Sequence, residues 1–179
     1  MIIKEHRTIF VHIPKNAGTS IEEYFGNSSF VIQPNKHDSI YDVKKRFPNS
    51  YSNYRKFTII RNPYDKMVSW YSYLKRNLGE NYDVIDFNKW IKNPLKFWHI
   101  DDPIGYLKPQ HEWVDDTVEI IKFENINKEL NDFFGEDIDL PITNNSNRDH
   151  YLEYYNQESL DTIHERYKED FEKFNYKKI

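Results

Sequence analysis

The stretch IFVHIPKNAGTSIEEYF, Ile9 to Phe25, passes from an apolar run into a helix-like one through Pro14, Lys15 and Gly18. Its opening residues belong to TIFVHI, Thr8 to Ile13, a β-branched and apolar run that stops at a proline. That pattern predicts a buried strand meeting a loop. Thr19 is then placed to cap a helix in which Ile21, Tyr24 and Phe25 share a face, with Glu22 and Glu23 in the first turn, where the helix dipole favours negative side chains. A loop between such a strand and helix lies at the carboxyl end of a sheet, where open α/β folds bind ligands. Unpaired N–H groups at a helix start point outward, and Gly18 lets the backbone come close to a bound group. Lys15, Thr19 and Ser20 add one cation and two hydroxyls, which completes an anion cradle; the same residues also suit an ordinary strand–helix connection with an exposed lysine.

The unit recurs. FTII, Phe57 to Ile60, reads as a second buried strand with Arg61 at its end, Asn62 as the N-cap of the next helix and Pro63 at its first position. Tyr64, Met67, Val68, Tyr71, Leu74 and Leu78 then fall on one helical stripe, and Gly79 is the stop signal. Between the two units, SFVIQ suggests a short strand, and Ser39 to Phe47 a helix ahead of Pro48 and an Asn/Ser/Tyr loop. TVEIIKF, Thr117 to Phe123, reads as a third strand, followed by a helix capped by Asn125 and running to Phe134. Leu160, Ile163, Tyr167, Phe171 and Phe174 step as one amphipathic helix. Strands alternating with helices imply an α/β fold with a parallel sheet, and 179 residues suit one domain spanning 1–179.

Lys and Arg total 25 against 29 Asp and Glu, a formal charge of −4, which argues against a general nucleic-acid partner. Cysteine is absent, so disulfides, thiolate catalysis and Cys-based zinc sites are excluded, and no metal site is expected. No run approaches the length needed to span a bilayer, which predicts a soluble, cytoplasmic protein. Aromatic residues make up 17%, so Tyr, Phe and Trp are expected to build both core and clefts.

The first loop does not meet the nucleoside-triphosphate pattern G-x-x-x-x-G-K-[ST], because Lys15 precedes the glycine, and no acidic residue ends a later strand to hold magnesium. PKNAGTS, Pro14 to Ser20, instead resembles the 5′-phosphosulfate loop of sulfotransferases that use 3′-phosphoadenosine 5′-phosphosulfate (PAPS). RNPYDKMVSWY, Arg61 to Tyr71, is similar to their second signature, R-x-P-x-x-R-x-x-S, with Lys66 in place of the second arginine. YLKPQHEWV, IIKFENI and YKEDFEKFNY extend the resemblance toward carbohydrate sulfotransferases related to uronyl and heparan sulfate 2-O-sulfotransferase, with Trp113 and Phe123 read as core. The resemblance implies a three-layer fold with a central parallel sheet, similar to that of P-loop nucleotide kinases, and PAPS as sulfuryl donor. It implies that Lys15 meets the bridging oxygen, that Asn16, Ala17, Gly18, Thr19 and Ser20 cradle the 5′-phosphate, and that Arg61 and Ser69 grip the 3′-phosphate.

KHDSIYDV, Lys36 to Val43, resembles the H-x-S-x-x-D stretch that carries the family's catalytic histidine. His37 is accordingly the expected general base, since an imidazole titrates near physiological pH, while His12, in the strand, is expected to be a packed side chain. The implied partner is a carbohydrate or other hydroxyl acceptor. Tyr73, Tyr82, Trp90, Trp98 and Tyr106 are candidate sugar platforms, and Lys75, Arg76, Lys92 and Lys96 candidate contacts for its anionic groups, each equally readable as core aromatic or solvated charge. Arg148 is a candidate to close over the cofactor. Two other readings remain open from sequence: a nucleotide or small-molecule kinase, and a non-catalytic module binding adenosine 3′,5′-bisphosphate.

Overall fold

The computed structural model describes residues 1–26, 31–32, 35–78, 85–94, 103–141 and 149–179. In chain order they form β1 (Ile2–Ile3), β2 (Thr8–Val11), α1 (Gly18–Phe25), β3 (Val31–Ile32), α2 (Ile40–Arg46), α3 (Pro48–Asn53), β4 (Arg55–Ile60), α4 (Pro63–Leu78), α5 (Phe87–Trp90), α6 (Pro103–Leu107), β5 (Glu119–Lys122), α7 (Ile126–Phe134), α8 (Gln157–Arg166) and α9 (Lys168–Lys173), with short 3₁₀ turns at Gln110–Trp113, Phe123–Asn125 and Tyr151–Tyr154. The chain divides into two compact units. One comprises Met1–Arg61 and Gln110–Asn144, the other Asn62–Pro109 and Asn145–Ile179.

The first unit holds a five-stranded sheet in the order β3-β1-β2-β4-β5. β2 pairs in parallel with β4 from Thr8↔Arg55 to Val11↔Thr58, and β4 in parallel with β5 from Phe57↔Glu119 to Ile60↔Lys122. Here the expectation of a parallel sheet holds. At the other edge it does not: β1 runs antiparallel to both β2 and β3, so the sheet is mixed. Only residues 4–7 separate β1 from β2, far fewer than a parallel crossover needs, so the two strands can join only as a hairpin. Arg7 turns that hairpin with φ 48, its N–H donating to the Lys4 carbonyl at 3.1 Å.

All of β2 is buried, as are Phe57 to Ile60 of β4. Thr58, polar but β-branched, satisfies its hydroxyl by donating to the Val11 carbonyl at 2.8 Å. Phe10, Ile21, Phe25, Phe57, Ile59, Ile121, Leu130 and Phe133 pack into one core that joins β2, β4 and β5 to α1 and α7. The short strand expected in SFVIQ is β3, Val31–Ile32; the other residues of that stretch lie outside the described ones. Ser39 and Asp42 cap α2 reciprocally, and α3 forms where the sequence suggested a loop because Pro48 sits in its first turn.

Among the described residues the second unit is helical. Asn62 caps α4 as expected, its Oδ1 accepting from the Tyr64 N–H at 3.0 Å, and Pro63 opens the helix. Tyr64, Met67, Val68, Tyr71 and Leu74 form the buried stripe, packed with Trp70, Trp90, Ile163, Tyr167 and Phe171. The side chain of Leu78, and Gly79 with it, lie outside the described residues. The single closing helix expected from Leu160 to Phe174 is two helices. They break at Tyr167, at φ −116 and ψ 26, where the buried phenol donates to the Leu107 carbonyl at 3.1 Å. Among the described residues no helix is long and apolar enough to cross a membrane.

Candidate active site

The loop after β2 is built from backbone geometry before any side chain is considered. Lys15 and Ala17 hold positive φ values of 69 and 57 on either side of Asn16. Alternation of this kind turns successive N–H groups to one side of the chain, an arrangement suited to anions. Ala17 is the N-cap of α1 and supplies no side-chain bond. Thr19 therefore does not cap the helix: it is exposed, one residue inside α1, and Glu22 lies beyond the first turn. Gly18 is also held by packing. A Cβ there would sit 1.8 Å from the His12 Nε2, so the imidazole already fills that space.

Buried polar groups tie this loop to the end of β4. Asn16, fully buried, donates from Nδ2 to the Ile59 carbonyl at 2.8 Å and to the Gln110 Oε1 at 2.7 Å. The same Oε1 accepts from the Arg61 N–H at 2.9 Å, and the Gln110 Nε2 donates to the Arg61 carbonyl at 2.9 Å. Gln110 thus takes the place of a further strand residue beyond the last rung of β4. The Arg61 guanidinium lies 4.0 Å over the Phe123 ring and donates from Nη1 to the Lys15 carbonyl at 3.2 Å. The two sequence motifs meet at that bond. Phe123, expected in the core, is a partly buried platform for the cation, whereas Trp113 is buried as expected.

His37 reaches the same loop from the segment before α2. Its Nδ1 lies 3.2 Å from the His12 carbonyl oxygen, and the two imidazoles meet edge to face at 4.6 Å between centroids. A carbonyl only accepts, so Nδ1 carries the hydrogen; in the neutral imidazole the lone pair is then on Nε2. His12 is 5% exposed and packed, as expected of it; burial pushes it down to about 4, against the hydrogen bond with Glu22. The Glu22 carboxylate takes the His12 Nδ1–H at 2.8 Å and pairs with Lys36 at 2.9 Å. Burial works to raise Glu22, but those hydrogen bonds outweigh it and hold the carboxyl down at about 2.

Lys15, Asn16, Ala17, Gly18, Thr19, Ser20, His37 and Arg61 all belong to the first unit. Ser69 belongs to the second, half-exposed on the face of α4 that it shares with Asn62 and Asp65, away from the apolar stripe. Lys66 is buried there, donating to the Tyr106 and Lys108 carbonyls at 3.2 and 3.4 Å. Of the acceptor candidates, Trp90 is fully buried and so offers no sugar platform, while Tyr106 stacks on Trp70 and Lys92 pairs with Glu158 at 2.7 Å. Tyr82, Lys96, Trp98 and Arg148 lie outside the described residues.

Gln110 is the contributor that sequence reading underrated: it stands in the run YLKPQHEWV, but no local signal there marks the glutamine as fully buried. Among the described residues no group of three or more His, Asp or Glu side chains is placed to hold a metal. Residues 1–96, more than half of the 179, match the profile of the Sulfotransferase family. No curated protein and no solved structure is similar enough to match the chain.

Proposed function

The chain belongs to the sulfotransferase family, and from that premise we propose that it transfers a sulfuryl group from PAPS to a hydroxyl of a carbohydrate acceptor. The reading includes a single functional domain over residues 1–179 and kinship of its sheet with that of P-loop nucleotide kinases. What carries it is the bond from the Arg61 Nη1 to the Lys15 carbonyl, 3.2 Å, which joins the two motifs that such a donor requires.

The donor set suits a nucleotide with two phosphates. Backbone N–H groups wound by Lys15 and Ala17, a primary ammonium, a guanidinium and the hydroxyls of Thr19 and Ser20 all donate, and the nearby carboxylate of Glu22 is engaged by His12 and Lys36. When bound, PAPS supplies a sulfuryl group activated on its 5′-phosphate. The N–H groups from Asn16 to Ser20 and the two hydroxyls hold that phosphate, and Lys15 offsets charge where it develops on the leaving oxygen. Arg61, kept flat on Phe123, holds the 3′-phosphate; Ser69 is proposed for the same phosphate from the signature alone. His37 keeps its Nδ1–H on the His12 carbonyl and accepts the acceptor's proton at Nε2.

Thermal melting with adenosine 3′,5′-bisphosphate against ATP and magnesium tests the binding half. At a hundredfold excess over Kd the bisphosphate should stabilise the wild type by about 2.7 kcal/mol, and Arg61→Ala should lose most of that shift. Labelled sulfate transfer across a panel of carbohydrate acceptors tests the chemistry, with His37→Ala reducing turnover by roughly 10²–10⁴-fold while keeping bisphosphate binding. Equal stabilisation by ATP, or full turnover in His37→Ala, refutes the corresponding half.

A further inference from the structure

The sequence assigned Glu22, with Glu23, to the dipole of a first helical turn, but neither lies in that turn, and the structure gives Glu22 other partners. It projects from the middle of α1 with its carboxylate divided between two partners: Oε1 accepts from the His12 Nδ1–H at 2.8 Å, and Oε2 pairs with the Lys36 ammonium at 2.9 Å. Both partners adjoin His37. His12 offers the carbonyl that fixes the His37 Nδ1–H, at 3.2 Å, and Lys36 is the preceding residue in the chain. The His12 ring is itself clamped, since it stacks on Phe10 at 5.6 Å between centroids and fills the space a Cβ at Gly18 would need. Burial is graded along the chain of contacts. His12 is 5% exposed, Glu22 18% and the Lys36 side chain 54%, so the carboxylate joins an interior ring to an outlying strap.

We propose that Glu22 is the positioning residue for the base: through His12 and Lys36 it holds His37 in the one ring orientation that places the hydrogen on Nδ1 and leaves Nε2 to receive a proton. The inference rests on the reading of His37 as base given above. Glu22 does not touch the reacting groups. Its effect passes entirely through the orientation and tautomer of another side chain, and the tautomer can be read without substrate.

The experiment is long-range proton–nitrogen correlation on the full chain carrying labelled histidine, at neutral pH, with the His37 signals assigned by their loss in His37→Ala. The wild type should show His37 in the Nδ1–H form. Glu22→Gln keeps an amide oxygen for His12 but turns an amide toward the Lys36 ammonium, and it should show His37 shifting to a mixture with the Nε2–H form. Its affinity for adenosine 3′,5′-bisphosphate, measured by calorimetry, should stay within twofold of wild type, because no phosphate-binding donor has been removed. Lys36→Gln, which spares the His12 bond, should shift the tautomer in the same direction. An unchanged Nδ1–H signal in Glu22→Gln overturns the proposal; should that variant fail to fold, an unchanged signal in Lys36→Gln overturns it equally. Failure of the base assignment looks different, for there His37→Ala retains sulfate transfer whatever the tautomer results.

Discussion

Lys66 stands where the family signature often has arginine, and its surroundings suit an ammonium. It is buried, its Nζ donates to two main-chain carbonyls, those of Tyr106 and Lys108, and it lies 5.6 Å over the Tyr167 ring. A compact point charge with rotatable donors fits two carbonyls that a planar guanidinium would have to straddle. Burial pushes its pKa from 10.5 down to about 8, with Asp170 pulling the other way. Between those values the unfolded chain binds the proton and the folded one does not, so stability rises with pH across that window. Relative to Lys66→Met, the wild type should gain roughly 2 kcal/mol between about pH 7.5 and 10, read from urea midpoints. A flat difference would mean that the ammonium is not desolvated. From sequence, Lys66 was visible only as a departure from a pattern; nothing local says that a lysine four positions into a helix points inward, since that depends on carbonyls 40 and 42 residues away.

The strand ends and helix starts that build the candidate site were legible because they carry local signals: Pro14 after an apolar run, then Asn62 and Pro63 at the foot of an amphipathic stripe. What joins them was not. Gln110 contacts Arg61 across 49 positions and Asn16 across 94, and its partners at Arg61 are backbone groups that look alike in any sequence. Gln110→Leu should leave one N–H of the Asn16 amide and both Arg61 main-chain groups without their bonds, the other Asn16 N–H keeping the Ile59 carbonyl, at about 1–3 kcal/mol for each buried group orphaned. We expect a total loss of several kcal/mol by denaturant titration, together with at least tenfold weaker binding of adenosine 3′,5′-bisphosphate in the fraction that folds. Unaltered affinity would show that the loop and the end of β4 keep their alignment without it. Tertiary anchoring likewise overrode periodicity in the closing helix. The pattern from Leu160 to Phe174 is continuous, yet the Tyr167 phenol is drawn to the Leu107 carbonyl and the helix breaks there.

At the scale of the molecule, the alternation of strands and helices was enough to give the α/β class and the three parallel strands, whereas the antiparallel edge depended on a hairpin hidden in the first eleven residues. His12 and Glu22 give this unit a common response to acid. His12, held at about 4 in the fold against an ordinary 6.5, is protonated first in the unfolded chain as pH falls through that interval. Glu22, held at about 2 against 4.5, behaves the same way lower down. Both therefore withdraw stability on acidification, and the melting temperature should fall steadily below about pH 6.5. Glu22→Gln should flatten the part of that curve below about pH 4.5, and a curve identical to wild type would remove the carboxylate from the account. The alternating handedness at Lys15 and Ala17 has a practical corollary for engineering. An inserted residue between 14 and 18 would throw every later amide to the opposite side of the chain, so tags and labels belong at the tip of the first hairpin, residues 4–7, where one more residue only lengthens a turn.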